Sequence, residues 1–191
     1  MPREVKITGF ILKKQPLGEA DELITFYTKE RGKLRARAVS VKKSTSRMLG
    51  SLQPASLVSA RLTGLGSLEK VIGAEVIQIF PRVVNEQERL KVYYWLSEVV
   101  LKATPDNAPD EAIYEFVFSV LNKLNSEEIN QDEISELLSS SALKLADLLG
   151  YAVPKTIEER REMTPKELEN YLLSYIEMQL ERRINSNKLF A

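Results

Sequence analysis

The sequence predicts a chain in two parts, a five-stranded β-barrel over residues 1–82 and an all-α helical domain over residues 83–191. Three observations predict it. Before Pro81, β-branched and aromatic stretches alternate with clusters of turn residues. A single long polar insertion separates the third stretch from the fourth. From Asn85 onward the apolar residues recur at helical spacing. Five strands with an insertion after the third fit a small Greek-key barrel of the oligonucleotide-binding (OB) type, with a five-stranded SH3-like barrel as the competitor; the insertion favours the former.

The first strand is EVKITGFILKK at 4–14, and Gln15-Pro16-Leu17-Gly18 turns the chain after it. ELITFYTK at 22–29 makes the second strand, and KERG forms the hairpin tip, with Gly32 supplying the turn. Residues 33–42 are the third strand. The insertion KKSTSRMLGSLQP follows, a basic loop running into a short helix or turn through Met48, Leu49 and Leu52. SLVSARLT at 56–63 and LEKVIGAEVIQIF at 68–80 supply the last two strands around a turn at 64–67, and Gly73 marks a bulge or bend.

Beyond Pro81, EQERLKVYYWLSEVVLKA places Leu90, Tyr93, Tyr94, Leu96, Val99 and Val100 on one broad apolar stripe. Tyr93, Tyr94 and Trp95 are consecutive and cannot all point inward, so one or two face a neighbouring domain or solvent. TPDNAPD reads as a linker, and residues 110–124 as the next helix. Glu128 lies near capping-box range of Ser126, and the helix through Ile134 to Leu149 ends at Gly150. Residues 155–163 read as a charged loop or short turn. Thr164-Pro165-Lys166-Glu167 has the form of an N-cap, a proline at the first helical position and a glutamate three residues after the cap. It opens a last helix to about Ile184.

Composition removes whole classes of chemistry. With no cysteine there is no disulfide or thiolate metal site, and with no histidine the commonest metal ligand and general base are missing. Acids at Glu19, Asp21 and Glu22 sit at a turn and read as solvated charges. Glu127-Glu128 and Glu158-Glu159 read as helix-terminal charges, and GLGSL at 64–68 lacks phosphate-loop spacing. The expectation is a protein that is not an enzyme and holds no metal or cofactor. No run approaches the roughly 18 apolar residues of a membrane span, and MPREVKITGF has no signal-peptide core. A cytoplasmic location follows, with no membrane partner.

The zero net charge conceals a polarity: residues 1–84 carry +8 and residues 85–191 carry −8. Much of the excess lies in KERGKLRARAVSVKKSTSR at 29–47, with eight cations against Glu30 alone. Lys33, Arg35 and Arg37 are two apart, with Leu34, Ala36 and Ala38 between them. On a strand that spacing puts cations on one face and small apolar residues on the other. Such a strand lies on a core and shows its charge to a polyanion, or else is only a solvated basic strand. Arg31, Lys33, Arg35, Arg37, Lys42, Lys43 and Arg47 are therefore the candidate DNA-binding residues. Nearby aromatics are few. Phe26 and Tyr27 point to opposite faces, leaving at most one stacking platform. Such a surface should bind phosphates without reading bases, on single and double strands, with steep salt dependence.

The stretch GFILKKQPLGEADELITFYTKERGKLRARAVSVKKSTSRMLGSLQP at 9–54 resembles the opening of the RecO family of bacterial recombination mediators. KVYYWLSEVV at 91–100, ALKLADLLGYAVP at 142–154 and the terminal RINSNKLF are similar to later family segments. The resemblance implies an N-terminal OB-fold nucleic-acid-binding domain and a helical domain. It further implies binding of single- and double-stranded DNA, annealing of complementary strands, and recombinase loading in recombinational DNA repair. Implied partners are RecR and the acidic C-terminal tail of the single-strand-binding protein. Arg89, Lys91, Lys102 and Lys123 are the basic candidates for that tail on the helical domain. A DNA-bound protein of this kind would be nucleoid-associated. Many family members carry a four-cysteine zinc module after Gly-Tyr-x-Pro, whereas here Pro154 leads into KTIEERREMT with no cysteine. The rival reading is a protein-interaction adaptor whose basic barrel binds an acidic protein surface.

Overall fold

The structure is a computed structural model and describes residues 4–42, 48, 50–64, 68–126, 129–154 and 162–189. The chain divides into two compact units, residues 1–81 with 104–114, and residues 82–103 with 115–191.

In the first unit β1 (Glu4–Leu17), β2 (Asp21–Thr28), β3 (Gly32–Ala38), β4 (Ser56–Thr63) and β5 (Glu69–Ile79) close into the five-stranded barrel that the sequence predicts, in the order β1-β2-β3-β5-β4. Closure depends on β1, which pairs with β4 through Glu4–Phe10 and with β2 through Gly9–Leu17. An irregularity between Ile11 and Lys13 adds the local twist that lets one strand serve both neighbours. Gly9 belongs to both pairings, and a Cβ there would stand 2.6 Å from the Tyr27 carbonyl oxygen, so this crossing requires glycine. The last joint is the parallel one: β3 meets β5 through Ala36, Arg37 and Ala38 opposite Glu69, Lys70 and Val71. The bend expected at Gly73 is present, because Ile72 lies unmatched between the pairs Leu62–Val71 and Arg61–Gly73.

Inward side chains of Ile7, Ile24, Phe26, Leu34, Leu62 and Val71 fill the barrel. Each buried side chain of this size is worth about 1.5–3 kcal/mol relative to exposure. After the insertion, Leu52 is fully buried in the same core and Met48 packs against it. The amides of Ser51 and Leu52 both donate to the Met48 carbonyl, so the helical spacing here is a single turn. Leu49, the loop at 43–47 and the turn at 65–67 lie outside the described residues.

The helices are α1 (Pro81–Asn85), α2 (Gln87–Ala103), α3 (Glu111–Asn125), α4 (Gln131–Leu148) and α5 (Pro165–Gln179), followed by a 3-10 helix (Asn185–Leu189). In the second unit α4 packs on α5, and α2 packs on α4 and the 3-10 helix. Thr164 caps α5 with a full capping box to Glu167, as its sequence predicts, and the helix stops at Gln179, earlier than its apolar spacing suggests. For α4 the cap is Asn130, paired reciprocally with Glu133; Glu127 and Glu128 lie outside the described residues, as do 155–161. Of the aromatic triplet, Tyr93 and Trp95 are buried and Tyr94 is half exposed.

Candidate nucleic-acid interface

The alternation on β3 is realised residue by residue. Leu34, Ala36 and Ala38 are buried in the barrel, Arg35 and Arg37 are exposed, and Lys33 is half-buried on the outer face. The hairpin before it is fixed by Thr28, whose hydroxyl donates to the Gly32 carbonyl and accepts from the Arg31 amide. Gly32 takes the left-handed φ of +64° that this turn demands.

The charge on that face is largely met within the chain. Residues 104–114, which include the prolines read as a linker, run alongside β3 as part of the same unit. Asp106 forms a parallel bridge with Lys33, and the Asn107 amide donates to the Lys33 carbonyl at 2.8 Å. Lys33 Nζ donates to the Thr104 carbonyl at 2.5 Å and lies 3.2 Å from the Asp106 carboxylate. Arg35 reaches the same carboxylate at 3.4 Å. Arg31 pairs with Glu69 at 2.6 Å and donates to the Asn107 side chain at 2.7 Å. Lys29 stands 3.4 Å from Glu111. Arg37 donates through Nε to Asp21 at 2.7 Å, and Asp21 also accepts the Ser40 amide. Five cations thus face four carboxylates, Asp21, Glu69, Asp106 and Glu111.

These pairs are unequal. Lys29–Glu111 and Arg35–Asp106 are long and about half or more exposed on both sides, a class worth at most about 1 kcal/mol. Lys33, by contrast, keeps only 14% of its side chain exposed and has a carbonyl and a carboxylate as acceptors. Of the candidate residues that the structure describes, Arg35, Arg37 and Lys42 are exposed, as is neighbouring Lys29. Lys43 and Arg47 lie outside the described residues.

Two sequence expectations change at this site. Asp21 is not a solvated turn charge: it is buried and oriented by Arg37 and Ser40. Neither Phe26 nor Tyr27 is a stacking platform, because both are fully buried, Phe26 inside the barrel and Tyr27 on the opposite face of β2. Burial first, and then the negative charge of Asp110, pushes the Tyr27 phenol above its ordinary range, so it stays neutral. Phe10, opposite Tyr27, packs its ring 5.0 Å from that of Tyr114. The exposed face of β3 is therefore cationic and not aromatic. Sequence reasoning missed Glu69, Asp106 and Glu111. Their only signal was acids in turn-rich text, and their partners are distant in the chain.

On the helical unit the four basic candidates separate. Arg89 is 3% exposed, and its guanidinium donates to the carbonyls of Leu124, Ser126 and Ile129 and to Glu86. It ties the segment between α3 and α4 and offers nothing to an outside ligand. Lys91 pairs with Glu88, and Lys102 pairs with Glu98 while donating to the Arg183 carbonyl. Lys123 is exposed and lines a cavity of about 480 Å³ with Ser126, Ile129, Glu133 and Leu137. Among the described residues, no group of three or more carboxylates could hold a metal ion, and no helix is long and apolar enough to cross a membrane.

Two family models match this chain: Recombination protein O N terminal over residues 1–80, and Recombination protein O C terminal over residues 86–156. The DNA repair protein RecO of Pelotomaculum thermopropionicum is 31% identical over 146 residues, covering 76% of this chain and 55% of that protein. The DNA repair protein RecO of Nostoc sp. is 32% identical over 153 residues, 80% of this chain and 51% of that protein. For the DNA repair protein RecO of Alkaliphilus metalliredigens the identity is 28%, over 76% of this chain and 58% of that protein. The chain spans about half the length of the curated relatives it matches.

Proposed function

The chain belongs to the RecO family, and from that premise we propose that it is a non-catalytic, DNA-binding recombination mediator. It binds single- and double-stranded DNA through the outer face of β3, anneals complementary strands and helps load recombinase in recombinational repair. The observation that carries the reading is the alternation on β3, which directs Arg35 and Arg37 to solvent beside exposed Lys42 while the residues between them anchor the barrel. Guanidinium and ammonium groups on a face without exposed aromatics recognise phosphate and not base. Neutralising two backbones on one surface lowers the repulsion that opposes their pairing. Lys43 and Arg47 extend the same basic stretch in sequence.

RecR and the acidic tail of the single-strand-binding protein are the proposed protein partners, and the nucleoid is the proposed location. For the tail we keep Lys123 as the candidate, since Arg89 is buried and Lys91 and Lys102 pair on their own helix, although Glu133 and Glu136 line the same cavity. A second reading, a protein-interaction adaptor, draws on the exposed Ile77 and Ile79 of β5, apolar side chains on the same barrel.

The test is fluorescence anisotropy with labelled single-stranded and duplex oligonucleotides, titrated across salt. Each phosphate contact on a single strand adds about 0.7 to the slope of log K against log salt. The variant Arg35→Gln/Arg37→Gln/Lys42→Gln should bind weakly and lose about 2 units of slope. A wild-type chain that leaves DNA untouched at low salt would remove the mediator reading and favour the adaptor.

A further inference from the structure

We propose that Asp106 occupies a backbone-phosphate position on β3, so that residues 104–111 form an internal strap that competes with DNA for Lys33 and Arg35. The inference rests on the DNA-binding reading above and goes beyond it, because it names a subsite and the group that fills it before DNA does.

The geometry is that of an anion held by a converging cationic pair. One Asp106 oxygen lies 3.2 Å from Lys33 Nζ and the other 3.4 Å from an Arg35 nitrogen. The carboxylate therefore stands between two cations of the same strand face, as a phosphate bridging them would. Asn107 extends the contact to Arg31, and Glu111 to Lys29, so the strap follows the cations in register. The backbone fits as well: a Cβ on Gly32 would stand 2.1 Å from the Ala108 carbonyl oxygen, so the strap lies directly on the glycine of the hairpin. Pro105 and Pro109 flank Asp106–Ala108 and restrict the segment, so little conformational freedom is lost in holding it there.

The attachment is nonetheless light. The backbone tie is the short parallel bridge of Lys33 and Asp106, which includes the Asn107 N–H donating to the Lys33 carbonyl, and Asp106 is nearly half exposed. Arg35–Asp106 and Lys29–Glu111 are the exposed, weakly held pairs, and the largely buried Lys33 is the firmest tie. A polyphosphate that also releases counterions can displace them. The strap then acts as a threshold: it satisfies the cations in the absence of DNA and yields to a backbone of high charge density.

The experiment compares wild-type protein with Asp106→Asn, which keeps the side-chain shape and removes the charge, by the same anisotropy titration with a labelled oligothymidylate. The variant should bind about 3- to 10-fold more tightly at low salt, with a slope steeper by about 0.7 for each cation released. Wild-type binding with an unchanged or weaker Asp106→Asn would overturn the strap and leave the DNA reading standing. If neither protein binds at low salt, the DNA reading falls and the strap with it. A thermal melt reports the fold of the variant. Should Asp106→Asn unfold, Glu111→Gln, at a mostly exposed pair, is read in its place, with a smaller gain expected and no gain overturning the proposal.

Discussion

At the scale of single residues, the informative side chains are charged groups with internal partners. Arg89 is the extreme case. Replacing it with leucine strands the carbonyls of Leu124, Ser126 and Ile129, and should lower stability by about 3 kcal/mol in urea denaturation. Lys91→Gln, at a surface pair, should change it by less than about 1 kcal/mol. Glu98 sets a pH dependence. Burial alone would raise its carboxyl, but hydrogen bonds from Lys102 and from Ser186 and Asn185 hold it at about 2, against an ordinary value of 4.5. A depressed carboxylate stabilises the fold fully above its unfolded value and less as pH falls through the folded one. The stability difference between wild type and Glu98→Gln should thus be constant above about pH 5 and shrink on acidification from 4.5 towards 2. Local spacing made Arg35 and Arg37 legible, because a strand's period of two dictates their face. Nothing local could reveal Asp106 as their partner, since its approach to Lys33 is a tertiary contact across the barrel unit.

Among the elements, the strands were legible from β-branched runs between turn clusters, and the cap of α5 from four residues. The sequence left open how the barrel closes. β3 and β5 have no local signal of pairing, yet three parallel pairs between them seal the ring, against seven in the β2–β3 hairpin. A short parallel seam between distant strands is the weakest joint of the sheet. Native-state amide exchange should therefore be faster at Ala36–Ala38 and Glu69–Val71 than in the paired centres of β1 and β2. Equal protection across the barrel would show that the seam opens only with the whole unit. TPDNAPD joins α2 to α3, as the sequence predicts, and in addition lies along β3. Proline excludes the segment from helix, but an extended, proline-stiffened segment suits a strap as well as a tether.

For the whole molecule, the division of charge into +8 and −8 halves by sequence understates how locally the cations are met. Asp21 and Glu69 come from the barrel strands themselves, whereas Asp106 and Glu111 come from residues after α2. The chain is made from its N-terminus, at about 5–20 residues per second. β5 ends at Ile79, so the strands of the barrel are complete before Asp106 and Glu111 have been synthesised. The barrel strands therefore leave the ribosome ahead of the strap, and until it follows them Lys29, Lys33 and Arg35 are without the carboxylates of Asp106 and Glu111. Under the strap proposed above, the order of the chain sets a brief window in which the young protein attracts polyanions more strongly than the finished one.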